Sequence, residues 1–220
     1  MTLKQRYDGI LAYFAQAMPI AQTELHYDTP FHLLLAVILS AQCTDKRVNI
    51  ITPALFAAYP DAEALAAATP EQVFEYVKSV SYPNQKSKKL VEAARMIVDE
   101  FGGEIPSDMD NLLKLPGVGR KTANVMLSVV FGQPAMPVDT HVYRVSERIG
   151  LTTDSPSPLH TEKELTSHIP PQQLGIAHHW LILHGRYVCK ARRPDCLDCG
   201  IRPYCRHYQT GLKSQAKAKK

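Results

Sequence analysis

The amino-acid sequence predicts an all-α protein, and three observations support that fold class. Apolar residues recur at helical spacing in nearly every segment of the 220 residues. No segment of useful length alternates apolar and polar residues in the way that a half-buried strand does. Helix-start signals also recur, with a threonine followed by a proline at Thr29-Pro30 and again at Thr69-Pro70. The chain is therefore expected to consist of helices joined by short turns.

The first half of the chain holds six predicted helices, over residues 3–18, 31–41, 48–59, 63–68, 69–80 and 86–101. The first is amphipathic, with one apolar face formed by Leu3, Tyr7, Ile10, Leu11 and Phe14. The second follows Thr29-Pro30 and is predicted to be buried. The last is predicted to stop at Gly102-Gly103, because glycine readily closes a helix.

The central feature is a predicted helical hairpin. Ser107 is expected to cap its short first helix. Its turn is Leu115-Pro116-Gly117-Val118-Gly119, because proline cannot continue a helix interior and both glycines tolerate backbone angles closed to other residues. Its second helix is expected to begin near Arg120. Three later helices are predicted over residues 140–149, 159–168 and 174–185.

The hairpin admits two interpretations. An ordinary turn between two helices would produce the same pattern, whereas N–H groups of a glycine turn at a helix N-terminus would bind a phosphate. Lys121 supports a catalytic role for the hairpin. The positive helix end and Arg120 are both expected to disfavour its charged form, and a neutral amine is the nucleophilic form. Asp139 starts a later helix and by itself is better explained as an N-cap. Together, the lysine and the carboxylate would form a catalytic pair.

Four of the five cysteines crowd near the C-terminus, as Cys189, Cys196, Cys199 and Cys205. Such crowding favours a metal centre over a disulfide framework, and four thiolates can hold either a [4Fe–4S] cluster or a structural zinc ion. Cys43 falls outside the spacing and is interpreted as a small apolar filler.

Composition and charge indicate an intracellular protein with a polyanionic partner. Residues 1–19 lack a signal-peptide pattern, and the longest apolar run is too short to span a bilayer. Residues 186–220 hold ten lysines and arginines against two aspartates, although the net charge of the whole chain is only +4. A basic end on a slightly acidic body suggests binding to a polyanion. Residues 212–220 are predicted to be a disordered basic tail.

Together, LPGVGRKTANVML, VDTHVYRVSERIG and the cysteine spacing resemble the endonuclease III family of the helix-hairpin-helix DNA glycosylase superfamily. The resemblance extends from about Tyr27 to Cys205. It implies two helical domains, with residues 25–135 forming a six-helix domain that contains the hairpin. Residues 1–24 and 136–211 would form the second domain, and DNA would bind in a cleft between the two. Lys121 and Asp139 would face each other at the mouth of that cleft.

The resemblance further implies a bifunctional DNA glycosylase and AP lyase of base excision repair. Lys121 would release oxidised pyrimidines and cleave 3′ to the abasic site through a Schiff base, with Asp139 stabilising charge on the sugar. The four cysteines would hold a [4Fe–4S] cluster. The partner would be double-stranded DNA containing damaged pyrimidines or abasic sites, bound by a cytoplasmic monomer with no membrane partner.

Several DNA contacts are implied as well. The phosphate backbone would be bound by Gly117, Val118, Gly119 and Arg120, and by the basic residues Lys190, Arg192 and Arg193 inside the cysteine loop. Gln42 matches the glutamine that fills the space left by a flipped nucleotide. Tyr82 stands at the position of the family's second wedge, where Ser81-Tyr82-Pro83 departs from the usual Gly-Leu-Tyr or Gly-Phe-Tyr. This departure leaves lesion preference and opposite-base contacts open.

Two alternatives use the same scaffold. A monofunctional enzyme, either MutY-like or specific for mismatched thymine, would lack a lysine at position 121. A MutY-like enzyme would also carry an acidic residue in the early buried helix, where this chain has FHLLLAVILSAQ. A non-catalytic damage-binding module would be expected to have lost Lys121 or Asp139, and this chain retains both.

Overall fold

The computed structural model describes residues 1–211, and this part of the chain contains helices and turns without a strand. The predicted all-α class is therefore confirmed. The tail predicted over residues 212–220 lies outside the described residues. No helix of the described part is long and apolar enough to cross a bilayer. The helices are α1 (Leu3–Ala17), α2 (Pro30–Ser40), α3 (Asp45–Ala58), α4 (Ala62–Ala66), α5 (Pro70–Val77), α6 (Pro83–Phe101), α7 (Met109–Leu112), α8 (Arg120–Val129), α9 (Thr140–Ile149), α10 (Pro158–His168) and α11 (Leu174–Tyr187).

Side-chain caps explain where most helices begin. The Thr29 hydroxyl accepts a hydrogen bond from the His32 N–H at 3.1 Å, which starts α2 as the sequence predicts. Helix α3 begins earlier than its predicted start at residue 48, because Thr44 caps it. Helix α6 also begins earlier, at Pro83 and not at Lys86, since proline is well suited to the first helical position.

The chain divides into two compact units. The first, Thr23–Gly132, is called the middle unit here. Its centre is α2, whose residues from Phe31 to Leu39 are all buried. Helices α3, α6 and α8 pack against α2, and α4 and α5 pack against α6. A helix that is apolar on every face must be enclosed in this way.

The second unit, called the terminal unit here, combines Met1–Gln22 with the chain from Gln133 onward. Helix α1 contributes Tyr7, Ile10 and Phe14 to its core. These residues share the core with apolar side chains of α9 and α11, which pack against each other. The indole N–H of Trp180 donates to the Met18 carbonyl at 2.8 Å, so the end of α1 is tied to α11. The unit is therefore assembled from both ends of the chain.

Candidate functional site

The hairpin lies in the middle unit between α7 and α8. Its first helix is capped by Asp108, whose carboxylate accepts from the Asn111 N–H at 2.9 Å. The predicted cap Ser107 is therefore wrong by one residue, because helix α7 begins at Met109 and the N-cap position falls on Asp108. The turn is closed by the Val118 N–H, which donates to the Leu115 carbonyl at 3.0 Å.

The two glycines of the turn have different roles. Gly117 has a φ of +89°, which is the left-handed region that favours glycine. Gly119 has a φ of −100° and a ψ of 177°, an extended conformation open to any residue. Of the two glycines, Gly117 therefore uses the backbone freedom that glycine provides, and Gly119 does not. Gly119 instead caps α8 and is exposed, with open space where a side chain would lie.

Helix α8 begins at Arg120, as predicted, so Lys121 is its second residue. Arg120 is exposed, and Lys121 is half-buried. The first turn of α8 contains no acidic residue. Lys121 therefore stands near the positive N-terminal end of the helix dipole, directly after Arg120.

Asp139 lies in the terminal unit as the N-cap of α9. Its Oδ1 accepts from the Val142 N–H at 2.7 Å, and the residue is half-buried. The segment before it is held by the buried His178, whose Nδ1–H donates a hydrogen bond to the Pro137 carbonyl oxygen at 2.8 Å. His178 therefore has a packing and hydrogen-bonding role in this unit. The cap fixes the position of the Asp139 carboxylate within its unit.

The four clustered cysteines line one cavity in the terminal unit. Cys189 and Cys205 are buried, and Cys196 and Cys199 are half-buried. Burial raises the pKa of the thiols of Cys196, Cys199 and Cys205. Within residues 1–211, no three histidine, cysteine or acidic side chains are grouped as ligands of a single metal ion.

Two arginines of α9 hold the chain that enters this cavity. Arg144 donates to the carbonyls of Cys189 and Gly185. Arg148 donates to the carbonyls of Lys190 and Ala191, at 2.7 and 3.1 Å. Sequence reasoning missed both arginines. Their spacing of four residues places them on one face of a helix, and that spacing was the available signal.

The basic residues of the cysteine loop are exposed. Lys190 forms an ion pair with Asp195 at 2.8 Å, so part of its charge is balanced locally. Arg192 and Arg193 extend from the same loop, and Arg193 has a φ of +51°. These two arginines are thus the stronger candidates for a phosphate contact.

The two predicted wedge residues lie on neighbouring turns of the middle unit. Gln42 follows α2 and is exposed, whereas Cys43 beside it is half-buried. Tyr82 directly precedes α6 as its N-cap residue and is 58% exposed. Both Gln42 and Tyr82 have a φ of +54°, which is uncommon for residues other than glycine. An exposed aromatic in a strained conformation is consistent with a functional position.

A family comparison matches residues 35–171 to the HhH-GPD superfamily, described as base excision DNA repair proteins. The chain is 46% identical over 211 residues to endonuclease III of Rickettsia felis, covering 96% of this chain and 99% of that relative. It is also 46% identical over 209 residues to endonuclease III of Bacillus subtilis, covering 95% of both chains.

Solved structures show the same likeness. A trapped covalent intermediate between an endonuclease III and DNA superimposes with a TM-score of 0.91 and 42% identity. That match covers 96% of this chain and 100% of the other. A thermostable thymine-DNA glycosylase superimposes with a TM-score of 0.84 but only 22% identity, so this second match indicates the shared fold alone.

Proposed function

The chain belongs to the endonuclease III family of HhH-GPD base excision DNA repair proteins. We therefore propose that Lys121 is its catalytic nucleophile. The protein is a DNA glycosylase and AP lyase. We infer that its substrates are oxidised pyrimidines and abasic sites in double-stranded DNA. The observation that carries the proposal is the position of Lys121 in the first turn of α8, directly after the glycine hairpin.

The proposed reaction uses the neutral amine of Lys121. Its Nζ attacks C1′ of an extruded nucleotide, and the glycosidic bond breaks as the damaged base departs with the bonding electrons. Opening of the sugar ring leaves a Schiff base between Nζ and C1′. The Schiff base acidifies the 2′ hydrogen, and removal of that proton expels the 3′ phosphate from C3′. The strand is thereby cut by β-elimination on the 3′ side.

Asp139 is proposed to stabilise the positive charge that develops on the sugar and to exchange a proton with Lys121. Its hydrogen bond to the Val142 N–H supports this role, because a carboxylate that caps a helix is held in place. The two side chains belong to different units, so we propose that the middle and terminal units act as the two domains of the enzyme.

Backbone binding is proposed for the turn residues Gly117, Val118 and Gly119, with Arg120 beside them. The N–H groups at the start of α8 suit a phosphate oxygen, and they bind without reading the bases. Lys190, Arg192 and Arg193 are proposed to add further phosphate contacts from the cysteine loop. Gln42 and Tyr82 are proposed to occupy the space left in the duplex by the extruded nucleotide.

Cys189, Cys196, Cys199 and Cys205 are proposed to hold a [4Fe–4S] cluster. Their side chains surround one cavity, and four thiolates are the donor set of such a cluster. The same donors would bind zinc, but the spacing matches the cluster spacing of the endonuclease III family. When bound, the cluster supplies a cross-link between segments of the terminal unit. Burial raises the pKa of the Cys196, Cys199 and Cys205 thiols, and the positive charge of iron would compensate for the cost of forming their thiolates.

Lys121 distinguishes this proposal from its rivals. A monofunctional glycosylase activates water and needs no lysine at this position, and a non-catalytic binding module needs neither Lys121 nor Asp139. We further propose a cytoplasmic, DNA-associated protein, because the most similar relatives named above are bacterial enzymes.

Borohydride trapping on a duplex with an abasic site tests the proposal. Wild type is expected to form a covalent protein–DNA band, and Lys121→Ala is expected to form none, because the Schiff base has lost its amine. Lys114→Ala is the matched control, since Lys114 is an exposed lysine before the same turn and donates to the Asn111 side chain at 2.7 Å. The variants are compared at equal iron content. Absence of a band from wild type would overturn the lyase assignment.

A further inference from the structure

Lys86 is a buried lysine that the proposed mechanism does not use. It lies in the first turn of α6 and is only 6% exposed. Burying an amine is costly unless its hydrogens find acceptors, and burial accordingly lowers the pKa of Lys86. A buried amine of this kind needs specific hydrogen-bond acceptors.

The partners of Lys86 are backbone carbonyls at the C-terminal end of α2 and at its C-cap residue. Its Nζ donates to the Leu39 carbonyl at 2.8 Å and to the Ala41 carbonyl at 2.7 Å. Its third neighbour is the Ser81 hydroxyl at 3.3 Å. Three acceptors match the three hydrogens of an ammonium group, and a cation suits the negative end of a helix dipole.

Ser81 extends this contact to the next residue of the chain. Its hydroxyl donates to the Gln42 carbonyl at 2.7 Å, with the Ala41 carbonyl as a second acceptor at 3.3 Å. Lys86 and Ser81 thus bind the backbone on both sides of Ala41. They also lie on both sides of Tyr82 in the sequence, so the turn at Gln42 and the turn at Tyr82 are joined by hydrogen bonds.

The two joined turns are the ones with left-handed residues. Gln42 and Tyr82 both have a φ of +54°, a conformation that costs a residue other than glycine about 1–3 kcal/mol and persists only when surrounding contacts hold it. The hydrogen bonds of Lys86 and Ser81 supply such contacts at both turns. Without them, each turn would relax towards a commoner conformation and its side chain would point elsewhere.

We propose that Lys86, acting with Ser81, is a positioning residue that holds Gln42 and Tyr82 together as one rigid wedge for entry into the duplex. The inference rests on the proposed function, because it assigns the wedge to those two residues. Lys86 itself touches neither DNA nor the reacting atoms. Its contribution is to order both turns before DNA binds, which lowers the cost of extruding the nucleotide.

The test compares two substrates that differ only in their need for a wedge. One is a duplex with a single abasic site, and the other carries the same site within a short unpaired bubble. Trapping rates with borohydride are measured under single-turnover conditions at saturating enzyme. Lys86→Met, which keeps the length of the side chain and removes its donors, is expected to slow trapping in the duplex by about tenfold or more. Trapping in the bubble should remain close to the wild-type rate.

Two further variants keep the result interpretable. Lys88→Met removes the same charge from the exposed face of α6, where Lys88 pairs with Glu92, and should behave as wild type on both substrates. Ser81→Ala is a milder change that should also slow trapping in the duplex and leave trapping in the bubble unchanged. If Lys86→Met does not fold, this variant tests the positioning role in its place. An equal rate loss on both substrates, or no loss in the duplex, would overturn the positioning role. Failure of wild type to trap either substrate would instead overturn the proposed function.

Discussion

At the scale of single residues, Asp139 combines a structural role with a proposed catalytic one. Its carboxylate caps α9 through the Val142 N–H, and the same carboxylate is proposed to act on the sugar of the substrate. A cap needs only a side-chain oxygen, whereas charge stabilisation needs a negative charge. The two roles can therefore be separated by a substitution that keeps the oxygen and removes the charge.

Asp139→Asn is expected to leave the free energy of unfolding within about 0.5 kcal/mol of wild type, because asparagine caps helices as well as aspartate does. The lyase rate should fall by about 10²-fold, which is typical for the loss of an acid–base group. Urea unfolding and single-turnover cleavage measure the two effects. Asp139→Ala is the comparison, since it should also lose about 1 kcal/mol of stability. If the Asp139→Asn enzyme kept the wild-type lyase rate, the catalytic role would be contradicted and Asp139 would be a helix cap only.

At the scale of elements, the hairpin contains one position that requires glycine, Gly117, and one glycine that caps a helix, Gly119. Gly117 needs its left-handed φ, and an added methyl group would lie 3.3 Å from the Ile38 side chain and 3.4 Å from Lys89. Gly119 is extended with nothing within 4 Å of an added methyl group. The turn therefore depends on Gly117 for its shape, and Gly119 is the place where we propose that a backbone phosphate approaches α8.

Alanine at these two glycines should have different consequences. Gly117→Ala is expected to lower the free energy of unfolding by more than about 1 kcal/mol, since the methyl group is strained at positive φ. Gly119→Ala should cost only about 0.5 kcal/mol as a weaker cap, yet it should reduce affinity for duplex DNA by crowding the phosphate. Thermal unfolding and a DNA-binding titration at fixed salt give both quantities. Unchanged DNA affinity in Gly119→Ala would contradict backbone binding by the turn.

The connection between α9 and the cysteine loop is a second feature at this scale. Arg144 and Arg148 bind carbonyls of the loop from one face of the helix that Asp139 caps. The loop is thus held from outside by α9 and lined inside by cysteines. Loss of a cluster from the cavity would therefore loosen part of the core of the terminal unit, to which Cys189, Ile201 and Cys205 belong.

At the scale of the whole molecule, the division into two units makes the effect of iron measurable on one of them. Trp180 is the only tryptophan, and it lies in the core of the terminal unit. Its fluorescence therefore reports unfolding of the unit that contains the four cysteines. Circular dichroism reports helices of both units.

Removal of iron is expected to destabilise the terminal unit selectively. The free energy of unfolding measured by Trp180 fluorescence in urea should fall by about 2.7 kcal/mol or more. This is the stabilisation given by a ligand present at a hundred times its dissociation constant. The dichroism curve should then show two transitions. Cys205→Ser should reproduce the shift, whereas Cys43→Ser, outside the cavity, should keep both the iron and the wild-type curve. A Trp180 unfolding transition that is unchanged by the removal of iron would argue against a structural cluster.

Short-range physics determined much of this molecule from its sequence. Caps, prolines and glycines locate helix ends within a few residues, because the groups that satisfy a helix terminus lie next to it in the chain. The error at Ser107 is a shift of one residue, and those at the starts of α3 and α6 are shifts of about three residues. The hairpin, Lys121 and the spacing of the cysteines are likewise local patterns, and they were sufficient to identify the family.

Tertiary structure alone decided which distant groups meet. Lys86 binds the carbonyls of Leu39 and Ala41 across 47 and 45 positions of the chain, and Arg148 reaches Lys190 across 42. No local pattern distinguishes Lys86 from the exposed lysines beside it, since its burial arises only when α6 packs against α2. The left-handed conformations of Gln42 and Tyr82 have the same origin, because non-local hydrogen bonds hold the backbone where its own preference would not.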